Sequence, residues 1–340
     1  MKSRTPLLIA TFAILPGVLP ASPNPERVKE PDLVIYTYDS FVAEWGPAPK
    51  VIPQFEAKYG VKVQAVSAGD AGQVLSRLIL EKDSPRADVV VGLDNNLLAR
   101  ALDAGVLQPY KPAGADKLAP EAVFDPAFRL TPFDYGYFAF VVDTQKLSDP
   151  PRSLEDLTDP RFRKKILLED PRTSSPGFGF LLWTIAAYGD RYLDYWQRLS
   201  PNILTIAESW DAAYGMFTSG EAPLVLSYTT SPAYHVENEK TTRYQAAMFP
   251  DGHYAQIEGL GVVTGAKHAD LARKFVDFAL TDAFQKEIPL TNWMYPVIST
   301  PLPDSYRYAP RPQRTLSLDA KTIVANQQRW LSAWARQMSK

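Results

Sequence analysis

Three strand-then-helix repeats early in the chain constrain the fold more than any other feature. Residues 33–38 form a β-branched and aromatic run that predicts a strand. Pro47 and Pro49 then stand where a helix can begin, and Val51, Phe55 and Tyr59 follow at four-residue spacing before Gly60 stops it. Residues 61–66 predict a second strand, and the small-residue turn 68–72 places Asp70 as the N-cap of a helix from about 73 to 82. A third strand, 87–91, leads through 92–96 into a helix that buries Leu97, Leu98 and Leu102 before Gly105. Such a succession predicts a mostly parallel sheet with its strand ends on one side, where open α/β sheets bind ligands.

The pattern restarts further on. Residues 133–142 predict an unusually aromatic strand that crosses out of a first lobe, and 165–168 open a second α/β unit. Residues 170–177 set hydroxyls and a proline ahead of the apolar segment 178–188, which predicts a helix start. A helix at 192–199, a strand at 202–206 and a helix at 211–217 follow, and Trp210 sits just before that last helix. The apolar run 223–226 predicts a buried strand that ends in the polar, aromatic stretch 228–234, either the floor of a binding site or an ordinary turn into the next helix. A glycine-bearing strand at 256–264 predicts a second crossing, and 292–296 an aromatic loop. The last helix, 319–338, puts Ile323, Trp330, Leu331 and Trp334 on one face.

Composition narrows the compartment and the partners. The chain has 340 residues, 46% of them hydrophobic, enough for two lobes. Lys2 and Arg4 precede an apolar run over 7–19 and then small residues, which predicts a secretory signal peptide at 1–21. That run is too short to span a bilayer, and no other stretch reaches ~20 apolar residues. Removing the leader takes the net charge from -2 to -4, with no long basic or acidic run, so neither nucleic acid nor an anionic membrane surface is indicated. The absence of cysteine excludes disulfides, thiolate metal sites and a cysteine nucleophile. An exported, disulfide-free chain of this kind suits a bacterial periplasm.

Aromatic residues recur at expected strand ends and loops: Tyr36, Tyr38 and Trp45, then Trp210, Tyr228 and Tyr234, then Trp293 and Tyr295. Grouped around a cleft with only a few acids, they would suit a planar organic cation, each contact worth ~0.5–2 kcal/mol. Taken singly, each is also accounted for as a core ring. Thr173, Ser174 and Ser175 suit a phosphate or hydroxyl at a helix start, and equally suit simple capping. Asp70 is a cap or a partner for a ligand amine. Hydrolase chemistry lacks its signals: there is no Gly-x-Ser-x-Gly elbow, and His235, His253 and His268 have no His or Glu partner at metal spacing. Tyrosine phenolates leave ferric iron open as an alternative ligand.

Taken together and in order, the blocks 34–41, 92–98, 133–140, 170–174, 226–234 and 292–296 resemble the bacterial periplasmic thiamine-binding proteins across nearly the whole mature chain. The resemblance implies an α/β, two-lobed periplasmic binding protein of type II, each lobe a mostly parallel sheet flanked by helices, joined by crossing strands. Lobe 1 would comprise 22–133 with 259–340, and lobe 2 residues 134–258. It implies a periplasmic monomer, not an enzyme, with no catalytic residue, cofactor or metal. Its ligand would be thiamine, thiamine monophosphate or thiamine diphosphate, delivered to an inner-membrane ABC permease with its ATPase. The ligand positions it implies are Asp70, Ala71, Ser174, Ser175, Trp210, Tyr228, Thr229, Thr230, Ser231, Tyr234 and Trp293, with Tyr38 and Trp45 beside them. Ala71 and Ser175 stand where the family pattern has Gly and Thr. The alternative is a protein of the same fold for ferric iron or a small organic cation such as a polyamine.

Overall fold

The expected repeats appear in order in the computed structural model, which describes residues 30–339. The leader expected at 1–21 lies outside the described residues. The described residues from Pro31 onward form one compact unit. Its first part runs β1 (Leu33–Thr37), α1 (Asp39–Val42), α2 (Ala48–Tyr59), β2 (Val63–Ser67), α3 (Ala71–Leu80), β3 (Val89–Asp94) and α4 (Leu98–Asp103). There follow β4 (Leu107–Gln108), β5 (Thr131–Asp143), β6 (Ile166–Glu169), α5 (Ser175–Tyr188), α6 (Tyr192–Leu199), β7 (Ile203–Ala207), α7 (Trp210–Ser219) and β8 (Leu224–Tyr228). The chain closes with α8 (Ser231–Glu239), β9 (Tyr244–Ala247), β10 (His253–Val263), α9 (Ala269–Ala279), α10 (Asp282–Gln285), α11 (Ile288–Thr291), β11 (Tyr295–Pro296), β12 (Thr315–Leu316) and α12 (Ala320–Met338).

The main strands lie in the order β2-β1-β3-β10-β5-β8-β6-β7. β2, β1 and β3 are parallel, as are β8, β6 and β7. Between these triplets, β10 runs antiparallel to β3 and to β5, and β5 antiparallel to β8. The two expected crossing strands are therefore the two central ones, and each parallel triplet is extended by a strand of opposite direction. This is the two-lobed type II binding-protein architecture. β3 and β6 are buried along their whole length, which is why they read as unbroken apolar runs up to their acidic ends.

Helix positions follow from local chemistry. α2 begins after Pro47 and ends at Gly60, whose φ of 67° lets its N–H turn back to the Glu56 carbonyl. α5 has no polar face over its first three turns because Ser175 to Ile185 are all buried. Its Phe180 meets Trp196 of α6 edge-on at 5.2 Å, and Trp196 meets Trp334 of α12 at 5.6 Å. The last helix thus docks through the face expected for it, with Ile323, Trp330 and Trp334 buried and Leu331 partly so. The stretch 228–234 is not a loop throughout: after two residues Ser231 starts α8, with Pro232 in the first turn where its missing N–H costs nothing.

Candidate functional site

The carboxyl ends of β1, β2 and β8 and the helix starts that follow β6 and β7 converge on a cavity of about 360 Å³. Tyr38 continues from β1, and its ring lies against Gly92. That glycine has φ +98°, and a Cβ there would come within 2.1 Å of the ring carbons, so only glycine leaves room for Tyr38 to face the cavity. Asp70 caps α3 through a reciprocal capping box with Gln73, whose side chain accepts from the Asp70 N–H at 2.9 Å. Ser175 opens α5 and Trp210 opens α7.

Asp70 is the point at which these pieces meet. Its carboxylate accepts from Ala71 N at 2.7 Å and from Trp210 N at 3.3 Å. Burial pushes its pKa up, while the Ser174 hydroxyl and the N–H groups of Ala71, Trp210 and Ser175 oppose that shift. One carboxylate therefore answers the amino-terminal ends of α3, α5 and α7 together.

The walls are aromatic. Trp210 stacks on Tyr214 at 4.8 Å and lies 6.4 Å from Trp45, while Tyr234 meets Trp293 edge-on at 5.2 Å. These rings are held by polar contacts behind them. Trp210 Nε1 donates to Ser227 Oγ at 2.8 Å, Ser227 shares a hydrogen bond with Ser231, and the Tyr228 hydroxyl donates to Gln256 Oε1 at 2.7 Å. Trp293 adopts φ +56°, uncommon for a bulky side chain, and its buried indole N–H has no hydrogen-bond partner.

Of the residues expected from the sequence, Tyr38, Trp45, Asp70, Ala71, Ser175, Trp210, Tyr228, Ser231, Tyr234 and Trp293 line the cavity. Ser174, Thr229 and Thr230 do not. Ser174 caps α5 toward Gly177 N and touches Asp70 from behind. Thr229 and Thr230 form the two-residue turn between β8 and α8, where both are fully buried off the cavity lining.

Sequence reasoning found Asp70 but missed the other acids. Asp39, Asp70, Asp211, Glu239 and Glu258 all border the cavity, and among the described residues no lysine, arginine or histidine does. The expectation of only a few acids is therefore corrected: the lining is strongly acidic. Burial, then the charges of Asp39 and Asp70, push Asp211 up to about 6. A cation about 4 Å from one such carboxylate gains on the order of 4 kcal/mol in a partly screened site. His235 is a second correction. It has an acid partner one helical turn on, Glu239, at 2.9 Å from Nδ1, while Nε2 lies 2.8 Å from the Tyr214 hydroxyl. Burial holds its pKa down, so the ring packs behind the wall as a neutral bridge. Among the described residues no group of three or more His, Asp or Glu is placed to hold a metal ion.

Residues 84–326 match the family of bacterial extracellular solute-binding proteins. The chain belongs to that family. This solute-binding protein is 43% identical to the thiamine-binding periplasmic protein of Brucella melitensis, over the whole of both chains. It is also 43% identical to the Escherichia coli thiamine-binding periplasmic protein over 92% of this chain and 94% of that one. A solved periplasmic thiamin binding protein superposes with a TM-score of 0.87 at 43% identity, covering 91% of this chain and 96% of that structure.

Proposed function

We propose that this solute-binding protein captures thiamine and its phosphate esters in the periplasm and delivers them to an ABC permease and its ATPase. The observation that carries the proposal is a cavity walled by indole and phenol rings and bordered by five carboxyl groups, with no basic side chain among the described residues. Thiamine joins a flat aminopyrimidine to a permanently charged thiazolium, so it wants ring faces and nearby negative charge. The names of the 43% identical relatives support the same ligand.

Trp210, Tyr228, Tyr234 and Trp293 pack the rings, with Tyr38 and Trp45 at the margin. Asp70 meets the ligand's polar edge. Ser175 and the N–H groups at the start of α5 meet the hydroxyethyl or phosphate end, and Ser174, Thr229 and Thr230 support the wall from behind. Lobe 1 spans 22–133 and 259–340 and lobe 2 spans 134–258. β5 and β10 cross between them, and bending there closes the cleft over the ligand. The protein binds and releases its ligand unchanged, without catalysis.

Calorimetry with thiamine, thiamine monophosphate and thiamine diphosphate tests this directly. Dissociation constants far below ~1 mM are expected, and none tighter than that for any of the three would overturn the proposal. Tyr234→Ala and Trp293→Ala should each weaken binding by about ten- to a hundredfold while the denaturation midpoint stays near that of the parent. Parental affinity in both would assign these rings to packing alone.

A further inference from the structure

Glu258 lies on β10 and is the cross-strand partner of Asp94 on β3 and of Asp134 on β5. It borders the cavity, and Asp134 is fully buried next to it in the sheet. The Tyr38 hydroxyl oxygen lies 2.8 Å from Glu258 Oε2 and 3.1 Å from Asn292 Oδ1, and the Asn292 amide nitrogen donates to Asp134 Oδ2.

Counting protons along this chain decides its charge state. The phenol has one hydrogen and faces two oxygens, so with both acids ionised one of those contacts would be oxygen against oxygen with no proton between. A protonated Glu258 completes the set: Glu258 donates to Tyr38, Tyr38 to Asn292, and Asn292 to Asp134. Turning the Asn292 amide over gives the mirror solution, in which Asp134 carries the proton and donates to Asn292, and Tyr38 donates to Glu258. Either orientation requires one acid proton on the pair.

We infer that Glu258 and Asp134 hold this shared proton while the cavity is empty and release it to solvent when an organic cation binds, so that ligand capture is coupled to loss of one proton. The inference rests on the proposed cationic ligand. A thiazolium carries its charge without a proton to exchange, so the proton must come from the protein. Bound next to Glu258, the cation replaces the proton as the counter-charge: the acid O–H bond breaks, the carboxylate keeps the electron pair, and the proton goes to the buffer.

The surroundings favour the protonated pair in the empty site. Asp70 at the start of α3, Asp94 at the end of β3, and Asp134 all add negative charge around Glu258, and the other groups facing it, Tyr38, Tyr228 and Gln256, are neutral. Burial first, then the charge of Asp134, push Glu258 well above the ordinary carboxylate range, and burial does the same to Asp134. The sign follows. Binding strengthens as pH rises through the window in which the empty site is protonated and the occupied site is not, by about one log unit per pH unit, and levels off above it.

The test is calorimetry of the mature protein with thiamine at one pH in phosphate and in Tris, whose ionisation enthalpies differ. The enthalpy difference should correspond to release of about one proton per ligand. Normal binding with no buffer dependence overturns the inference alone, and no binding in either buffer removes the proposed ligand and the inference with it. Glu258→Gln can still donate to Tyr38 but cannot ionise, so it should bind with little proton release and a flattened pH profile. Asp134→Asn is the second variant should the first fail to fold. Undiminished release in a folded Glu258→Gln and a folded Asp134→Asn would overturn the assignment to this pair.

Discussion

Asp70→Ala should weaken thiamine binding by on the order of a hundredfold and lower the stability of the empty protein by about 2–4 kcal/mol. Both effects have the same origin. The carboxylate accepts from Ala71 N at 2.7 Å and from Trp210 N at 3.3 Å, and it also holds the Ser174 hydroxyl and the Ser175 N–H. Removing it strands backbone donors at three helix starts, each costing about 1–3 kcal/mol where water cannot replace the partner. It also removes a charge that borders the cavity. Asp70→Asn separates the two roles. An amide oxygen can still accept from Ala71 N, so most of the stability should return, whereas the lost charge should keep the affinity low. Calorimetry and a denaturant titration on both variants check this. Parental affinity in Asp70→Ala would reduce Asp70 to a helix cap.

The sequence made the strands and the aromatic wall legible because both are local. β3 and β6 announce themselves as unbroken apolar runs, and Trp210 and Tyr228 stand where a strand end or helix start is easy to place. What it hid was adjacency between distant segments. Nothing in residues 253–263 says that this strand lies between β3 and β5, and that insertion alone sets Glu258 against Asp94 and Asp134. A signal was present all the same. Gln256 and Glu258 are polar at alternating positions on a strand that is otherwise almost wholly buried, which places two polar side chains on one face. Thr229 and Thr230 failed in the opposite way. They sit inside a motif whose flanking residues reach the cavity, but the tight turn from β8 into α8 buries both of them. Asp39, Asp211 and Glu239 looked like ordinary polar residues beside helix ends, and only the convergence of α1, α7 and α8 on one cavity makes them a charged lining.

Gly72→Ala should reduce thiamine affinity by about ten- to a hundredfold and diminish the compaction that accompanies binding, though it touches no ligand. Gly72 is the second residue of α3 and is buried against the turn before α5. A Cβ on it would lie 2.6 Å from the Thr173 carbonyl oxygen and 3.1 Å from the carbonyl carbon. That neighbour cannot retreat cheaply: Thr173 N–H donates to the Asp170 carbonyl at 3.2 Å, and its hydroxyl donates to the Glu208 carbonyl at 2.6 Å. The methyl group therefore has to push the 70–72 and 170–175 turns apart. These are the turns that carry Asp70 on one side and Ser174 and Ser175 on the other, so the wedge opens the cleft at its polar end. Helix propensity acts in the other direction, since alanine is favoured over glycine inside a helix by about 1 kcal/mol. A loss of affinity in a variant whose helix is intrinsically more stable thus isolates the steric effect. Calorimetry with small-angle X-ray scattering, with and without ligand, measures it. A Gly72→Ala protein that binds and compacts as the parent does would show that closure does not bring these two turns together.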